Sequence, residues 1–295
     1  MGILVGKAYP AALFQNQADH TYVQCSTGGK AWACWGGKTG GRELRRATGS
    51  TSRADCIAQP DEKAGIKCYL INGVCHQAAN RILLPAGITV RGARGYSISE
   101  ALFGTYGRVA FWPCSSPFKQ CGTTSGDLGP CAVTTAVAAS TEVARKEGEQ
   151  LDWIYINSVL KLYARARTIQ AEMTAARTGG RTSTAVSKAE AFHLALFENM
   201  AEFKLGPLLG APLKRKLLRI RRETERKRVR IERRRASQEI SDDEFVSEID
   251  RITLEFQDKM ANALKPAEYL TLFDLEPGER VVLADKDIVK KEFGV

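Results

Sequence analysis

From residue 151 onward, hydrophobic positions recur every three or four residues. In LDWIYINSVLKLYARARTIQAEMTAART (151–178), Trp153, Ile156, Leu160, Tyr163, Ile169 and Met173 mark one face of a helix, and GGRTS ends it. A second helix over about 184–203 aligns Ala189, Phe192, Leu196 and Met200. A third begins after Pro212 and carries a thin stripe of Leu213, Leu217, Ile220 and Ile231. SDDE (241–244) reads as a capping box, Ser241 with Glu244, opening a helix whose Phe245, Ile249, Ile252, Phe256 and Met260 share a face. LEPGERVVLADKDIVKKEFGV closes the chain as a turn, a short strand and a short helix.

The first 131 residues follow a different pattern. HTYVQC (20–25) and KAWACW (30–35) are strand-like runs that STGG joins into a hairpin. The polar, Gly-rich stretch 36–55 predicts an exposed loop. IKCYLI (66–71) predicts a strand that passes through Asn72 and Gly73 into a short helix stopped by Pro85. GITVRGARGY (87–96) predicts strand and turn, and SISEALFGTY (97–106) a short helix with Ser97 or Ser99 as its cap. RVAFWPC predicts another strand, and 113–131 a loop. The fold class is therefore α+β: a small N-terminal domain over 1–135, then a mostly helical domain over 136–295 containing a long helical hairpin, with the border within 132–150.

Composition refines this picture in three places. The 295 residues are 44% hydrophobic and 26% charged, ordinary globular values. No apolar run is long enough to span a bilayer. The start, MGILVGKAYPAALF, lacks a basic region followed by a continuous apolar one, so a cytoplasmic location is the default, with export by another route left open. Residues 214–235 hold thirteen basic and three acidic residues, a surplus that equals the net +10 of the whole chain. All eight cysteines lie in the first 131 residues, with no CxxC pair and only three histidines, which argues against structural zinc. No metal or cofactor is expected.

The candidate chemistry centres on Cys75. With Asn72 as N-cap, Cys75 falls near the third helical position, where backbone amides and the helix dipole favour a thiolate and could stabilise an oxyanion. A thiolate hydrolase also needs a base. His76 projects about 100° around the helix from Cys75, and His193 lies on the apolar face of a distant helix, leaving His20 at the start of the HTYVQC run. A strand-borne histidine in DHTYV that precedes a cysteine in NGVCHQAANRIL resembles the papain-like cysteine hydrolase superfamily, in its circularly permuted branch of NlpC/P60-related and lecithin:retinol acyltransferase-like enzymes. The resemblance covers about residues 15–110. It implies a papain-like N-terminal domain in which a helix opening on the nucleophile packs against the histidine strand. It also implies acyl transfer through a thioester on a peptide or other acyl substrate, ending in hydrolysis or transfer. Gln24, Asp19 and Asp55 are the possible orienting or oxyanion residues, and Trp32, Trp35, Tyr96 and Tyr106 the possible lining of a substrate cleft.

A second reading stands beside the first. Here Cys75 is a small core residue or half of a disulfide, and His20 a satisfied sheet residue. The chain is then a non-enzymatic interaction or assembly protein. Its basic helix (213–236), interrupted by Glu223, Glu225 and Glu232, either packs as a solvated hairpin against the acidic start of the next helix or binds a protein partner or nucleic acid.

Overall fold

In the computed structural model, residues 1–10, 18–64, 69–108, 153–163, 169, 172, 175, 182–284 and 289–290 are described. The N-terminal part is a four-stranded antiparallel sheet in the order β3-β2-β1-β4: β1 (Gly2–Pro10), β2 (Asp19–Cys25), β3 (Ala31–Trp32) and β4 (Arg42–Gly49). The expected hairpin is present, with Val23 opposite Trp32, although β3 is only two residues long.

Two segments correct the sequence reading. The opening residues form the central strand β1, with Tyr9 opposite His20 on one side and Val5 opposite Arg46 on the other. The stretch 36–55 is not a loop throughout: Arg42–Gly49 is the edge strand β4, and α1 (Thr51–Ala64) starts within it. RELRRATG lacks an apolar alternation because it lies on a sheet edge, where charged side chains discourage pairing with another chain. Tyr69–Ile71 makes only an isolated bridge to Gly73, and no strand is seen over 87–96. The strand expected over 108–114 and the loop over 113–131 lie outside the described residues.

The helical layer matches its periodicity closely. Segment 153–163 is helical, with Ile156, Leu160 and Tyr163 buried; Met173 lies outside the described residues. The later helices are α4 (Thr182–Leu205), α5 (Ala211–Ala236), α6 (Asp242–Ala261) and α7 (Pro266–Phe273). Ser241 caps α6 as read: the Glu244 amide donates to its hydroxyl at 3.2 Å, and its own amide donates to the Glu244 carboxylate at 2.8 Å. Phe245, Ile249, Ile252, Phe256 and Met260 are all buried.

Between sheet and helices lie α2 (Cys75–Leu83), a 3-10 turn (Leu84–Ala86) through Pro85, and α3 (Tyr96–Phe103). Every residue of α2 is buried. Ala79, Ile82 and Leu83 pack with Leu4, Val23 and Ile57 under the sheet, whereas Val74, Cys75 and Ala78 join the larger core shared with α4, α5 and α6. The expected border at 132–150 falls outside the described residues, and the described residues on its two sides share that larger core.

Candidate functional site

The local sequence around Cys75 places it in the interior. Cys75 opens α2 behind Val74, whose amide donates to the Gln77 side chain at 3.0 Å. Asn72 is not the cap: its side-chain oxygen accepts the Arg108 amide at 2.8 Å. In the tight 70–73 loop Leu70 sits at φ 120°, an unfavourable conformation for a branched side chain, and its amide donates to the Gly73 carbonyl at 2.6 Å.

The polar residues of α2 are satisfied internally. Asn80 donates to Tyr96 Oη at 3.1 Å and to the Thr105 carbonyl at 2.8 Å, and accepts the Val90 amide at 2.9 Å. Arg81 donates to the Tyr106 carbonyl at 3.0 Å. His76 Nε2 lies 3.0 Å from the Asp19 carbonyl, which can only accept, so Nε2 carries the proton; Nδ1 lies 2.8 Å from the Ser99 hydroxyl, whose single proton also faces the Tyr96 carbonyl at 2.8 Å. These bonds repay the desolvation of each group, which allows such a helix to serve as core.

The expected dyad is not assembled. The Cys75 thiol is 5% exposed and donates to the Asp19 carbonyl at 3.6 Å. Burial pushes it up to about 11, and Thr21 beside it offsets only part of that shift. A helix N-terminus favours a thiolate only where the charge can be solvated, and here it cannot. His20 lies on the other side of β2. Side chains alternate along a strand, Val23 and Cys25 pack with α2, and His20 stacks between Tyr9, 4.9 Å away, and Trp35, 4.3 Å away. Neither of its ring nitrogens has a hydrogen-bond partner among the described residues. Burial pushes its imidazole down to about 4, and the Gly37 backbone opposes this only in part. His76 and His193 are also pushed down to about 4, chiefly by burial. All three histidines of the chain are therefore neutral near pH 7, and each binds a proton too weakly to be well matched to base catalysis there.

The other expected site residues are dispersed. Asp19 is 6% exposed and accepts from Arg42 at 2.8 Å and from the Arg94 amide at 2.9 Å. Asp55 holds Lys30 at 2.6 Å and Trp32 Nε1 at 2.8 Å on the α1 side, and Gln24 points to the sheet face opposite α2. Trp32, Tyr96 and Tyr106 are buried in the core rather than lining a cleft, and Trp35 packs against His20 and Tyr69. Of the cysteines, Cys25, Cys34 and Cys75 are free, and Cys56 is disulfide-bonded to a residue outside the described ones. The Cys25 thiol is held below its ordinary value: burial opposes ionisation, but the Thr27 hydroxyl and the Thr27 and Gly28 amides outweigh it. No group of three or more potential metal ligands occurs among the described residues.

The basic helix divides into two faces. On its inner side, Glu225 accepts from Arg108 at 2.6 Å, Arg221 at 2.9 Å and His193 at 3.1 Å, while Glu232 holds Arg108 and Arg228. Arg221 and Arg228 also donate to the Ala101, Leu102 and Leu70 carbonyls, and Arg228 lies 3.9 Å over the Phe103 ring. Two of the three glutamates that interrupt the basic run are thus its buried counter-charges, binding α5 to α3 and to the 70–72 loop. The third, Glu223, reaches Lys259 of α6 at 3.1 Å.

The outer side is different. Arg215, Arg219, Arg222, Arg226, Arg230 and Arg233 are all exposed. Their steps of four, three, four, four and three residues keep them within an arc of about 80° at 100° per residue. They form a ladder about 27 Å long at 1.5 Å per residue. Arg222 and Arg226 approach Glu190 of α4 at 3.3 and 3.4 Å; the other four have no ion-pair partner among the described residues. The hydrophobic periodicity pointed to the inner face, and the arginine steps could have been read from the sequence in the same way.

No family model, curated protein or solved structure matches the chain. Among the described residues, no helix is long and apolar enough to cross a membrane.

Proposed function

We propose that the protein is a binding or assembly protein that engages an anionic partner through the arginine ladder of α5. The observation that carries this reading is six exposed guanidiniums on one helical face, four of them free of carboxylate partners among the described residues. Carboxylates neutralise the inner face, so the outer face is where the helix's charge surplus reaches solvent. Arginine suits this role because it stays charged and its planar fork binds oxyanions bidentately. The cysteine-hydrolase reading needs an ionised thiol and a base beside it. Burial of Cys75, and the position of His20 on the far side of β2, supply neither.

The test is retention on immobilised heparin at rising salt, comparing the protein with the variant Arg215→Gln, Arg219→Gln, Arg230→Gln, Arg233→Gln. The reading requires elution of the native protein well above physiological salt and of the variant well below it. Equal elution of the two would overturn it.

A further inference from the structure

We infer that the partner is duplex nucleic acid, held by its phosphate backbone without regard to base sequence. This rests on the anionic-partner reading and narrows it.

Three features of the ladder select this partner. First, it contains no apolar anchor. The exposed large hydrophobic residues among the described ones are Met1, Ile154, Leu208 and Leu270, and none belongs to the arginine face. A protein interface draws its affinity from a desolvated core of aromatic and aliphatic side chains with charges at the rim, and here charge occupies the centre of the face. Second, the face offers no exposed aromatic ring. Proteins that hold single strands stack bases on such rings, so a face of guanidiniums alone suits a duplex, whose bases are already stacked and whose phosphates line the outside. Third, the ladder is straight and regular, with about 4.5 or 6 Å of axial rise between successive rungs at 1.5 Å per residue. That arrangement lets a rigid helix lie along a groove edge and meet a run of phosphates.

The inner face makes this presentation possible. Arg221 and Arg228 are buried and fastened to Glu225, Glu232 and backbone carbonyls, so the helix cannot roll to bury the ladder without breaking that network. The ladder is therefore held facing outward before the partner arrives, and little ordering of the backbone accompanies binding. The helix carries no Asn or Gln to pair with an adenine edge, and its guanidiniums are assigned to phosphates, so affinity comes from neutralised phosphates and the release of their counterions.

Four to six phosphate contacts give a slope of log affinity against log salt of about −4 to −5, a loss of roughly 500-fold between 50 and 200 mM salt. The experiment measures fluorescence anisotropy of the full chain with labelled 20-base-pair DNA and RNA duplexes of two unrelated sequences. The matching single strands, heparin and poly-glutamate are tested alongside, each across that salt range. The expected result is binding to at least one duplex type with that slope, indifferent to sequence and weaker for single strands and poly-glutamate. The variant Arg215→Gln, Arg219→Gln, Arg230→Gln, Arg233→Gln should flatten the slope to about −2 or less. Its unchanged thermal melting would show that these exposed substitutions leave the fold intact. Binding to heparin or poly-glutamate without binding to either duplex would overturn the duplex assignment and leave the anionic-partner reading standing. A preference for single strands would also overturn it. Binding to none of the probes would overturn both readings.

Discussion

Acidification should destabilise this protein well before its carboxylates titrate. His20, His76 and His193 are each pushed from 6.5 down to about 4 by burial. A ring whose folded value lies below its unfolded value favours the neutral form in the fold, so the unfolded chain takes up the proton first. The stability of the neutral ring is intact above about pH 6.5, is lost as pH falls from there to about 4, and changes no further below that. Linkage with those two values gives a loss of about 2 kcal/mol per ring between pH 7 and pH 5, or about 6 kcal/mol for three. That is comparable with the whole stability of an ordinary domain, about 5–15 kcal/mol. Glu225 behaves differently: burial would raise its carboxyl, but Arg108 and Arg221 together hold it well below the usual range, so its contribution is lost only below about pH 4.5. The window from 6.5 to 5 therefore belongs to the imidazoles. Urea unfolding at half-unit steps of pH measures the effect directly, and His193→Gln should remove about one third of the slope. A stability constant to within about 1 kcal/mol between pH 7 and 5 would refute the reasoning, because all three rings would then have to be largely solvated.

Glu225→Gln leaves Arg108, Arg221 and His193 without their shared carboxylate and should cost about 3–5 kcal/mol in urea unfolding, since breaking a buried ion pair strands the remaining charge; a cost under about 1 kcal/mol would show that water reaches the network. In native buffer at pH 7.5, iodoacetamide followed by peptide mass mapping should leave Cys75 unlabelled until urea unfolds the chain, because its thiol is buried and pushed up to about 11; rapid labelling of Cys75 in the folded protein would show that it is accessible. Gly104→Ala should lower the melting temperature and cost about 1–3 kcal/mol, because Gly104 has φ 75° and an added Cβ would lie 2.6 Å from Leu196 Cδ1 and 2.7 Å from Tyr163 Oη.

The parts of the fold written in a simple period were legible in the sequence. α4, α5 and α6 alternate apolar and polar positions as a helix lying on a core must, and the Ser241–Glu244 cap marks its own helix start. Two kinds of element were not legible. β4 is a polar edge strand, and its pairing with β1 is set by sheet partners distant in the chain rather than by its own pattern. α2 carries four polar residues, His76, Gln77, Asn80 and Arg81, yet all four are buried and bonded. A single sequence shows that a residue can make hydrogen bonds but not whether water or protein supplies the partner. That ambiguity moved Cys75 from an apparent helix tip to the interior. The same ambiguity hid the neutralised inner face of the basic helix, whose carboxylate partners appear only once the helix is placed, whereas the arginine steps of its outer face were there to be read.

Arginine footprinting tests the central claim most directly. The full chain would be treated with an arginine-selective glyoxal, free and saturated with duplex, and modification at each guanidinium read by mass spectrometry. The account predicts that Arg215, Arg219, Arg230 and Arg233 react readily in the free protein and are protected together on binding, while Arg221 and Arg228 stay unreactive in both states. Binding that leaves those four residues as reactive as before would contradict it.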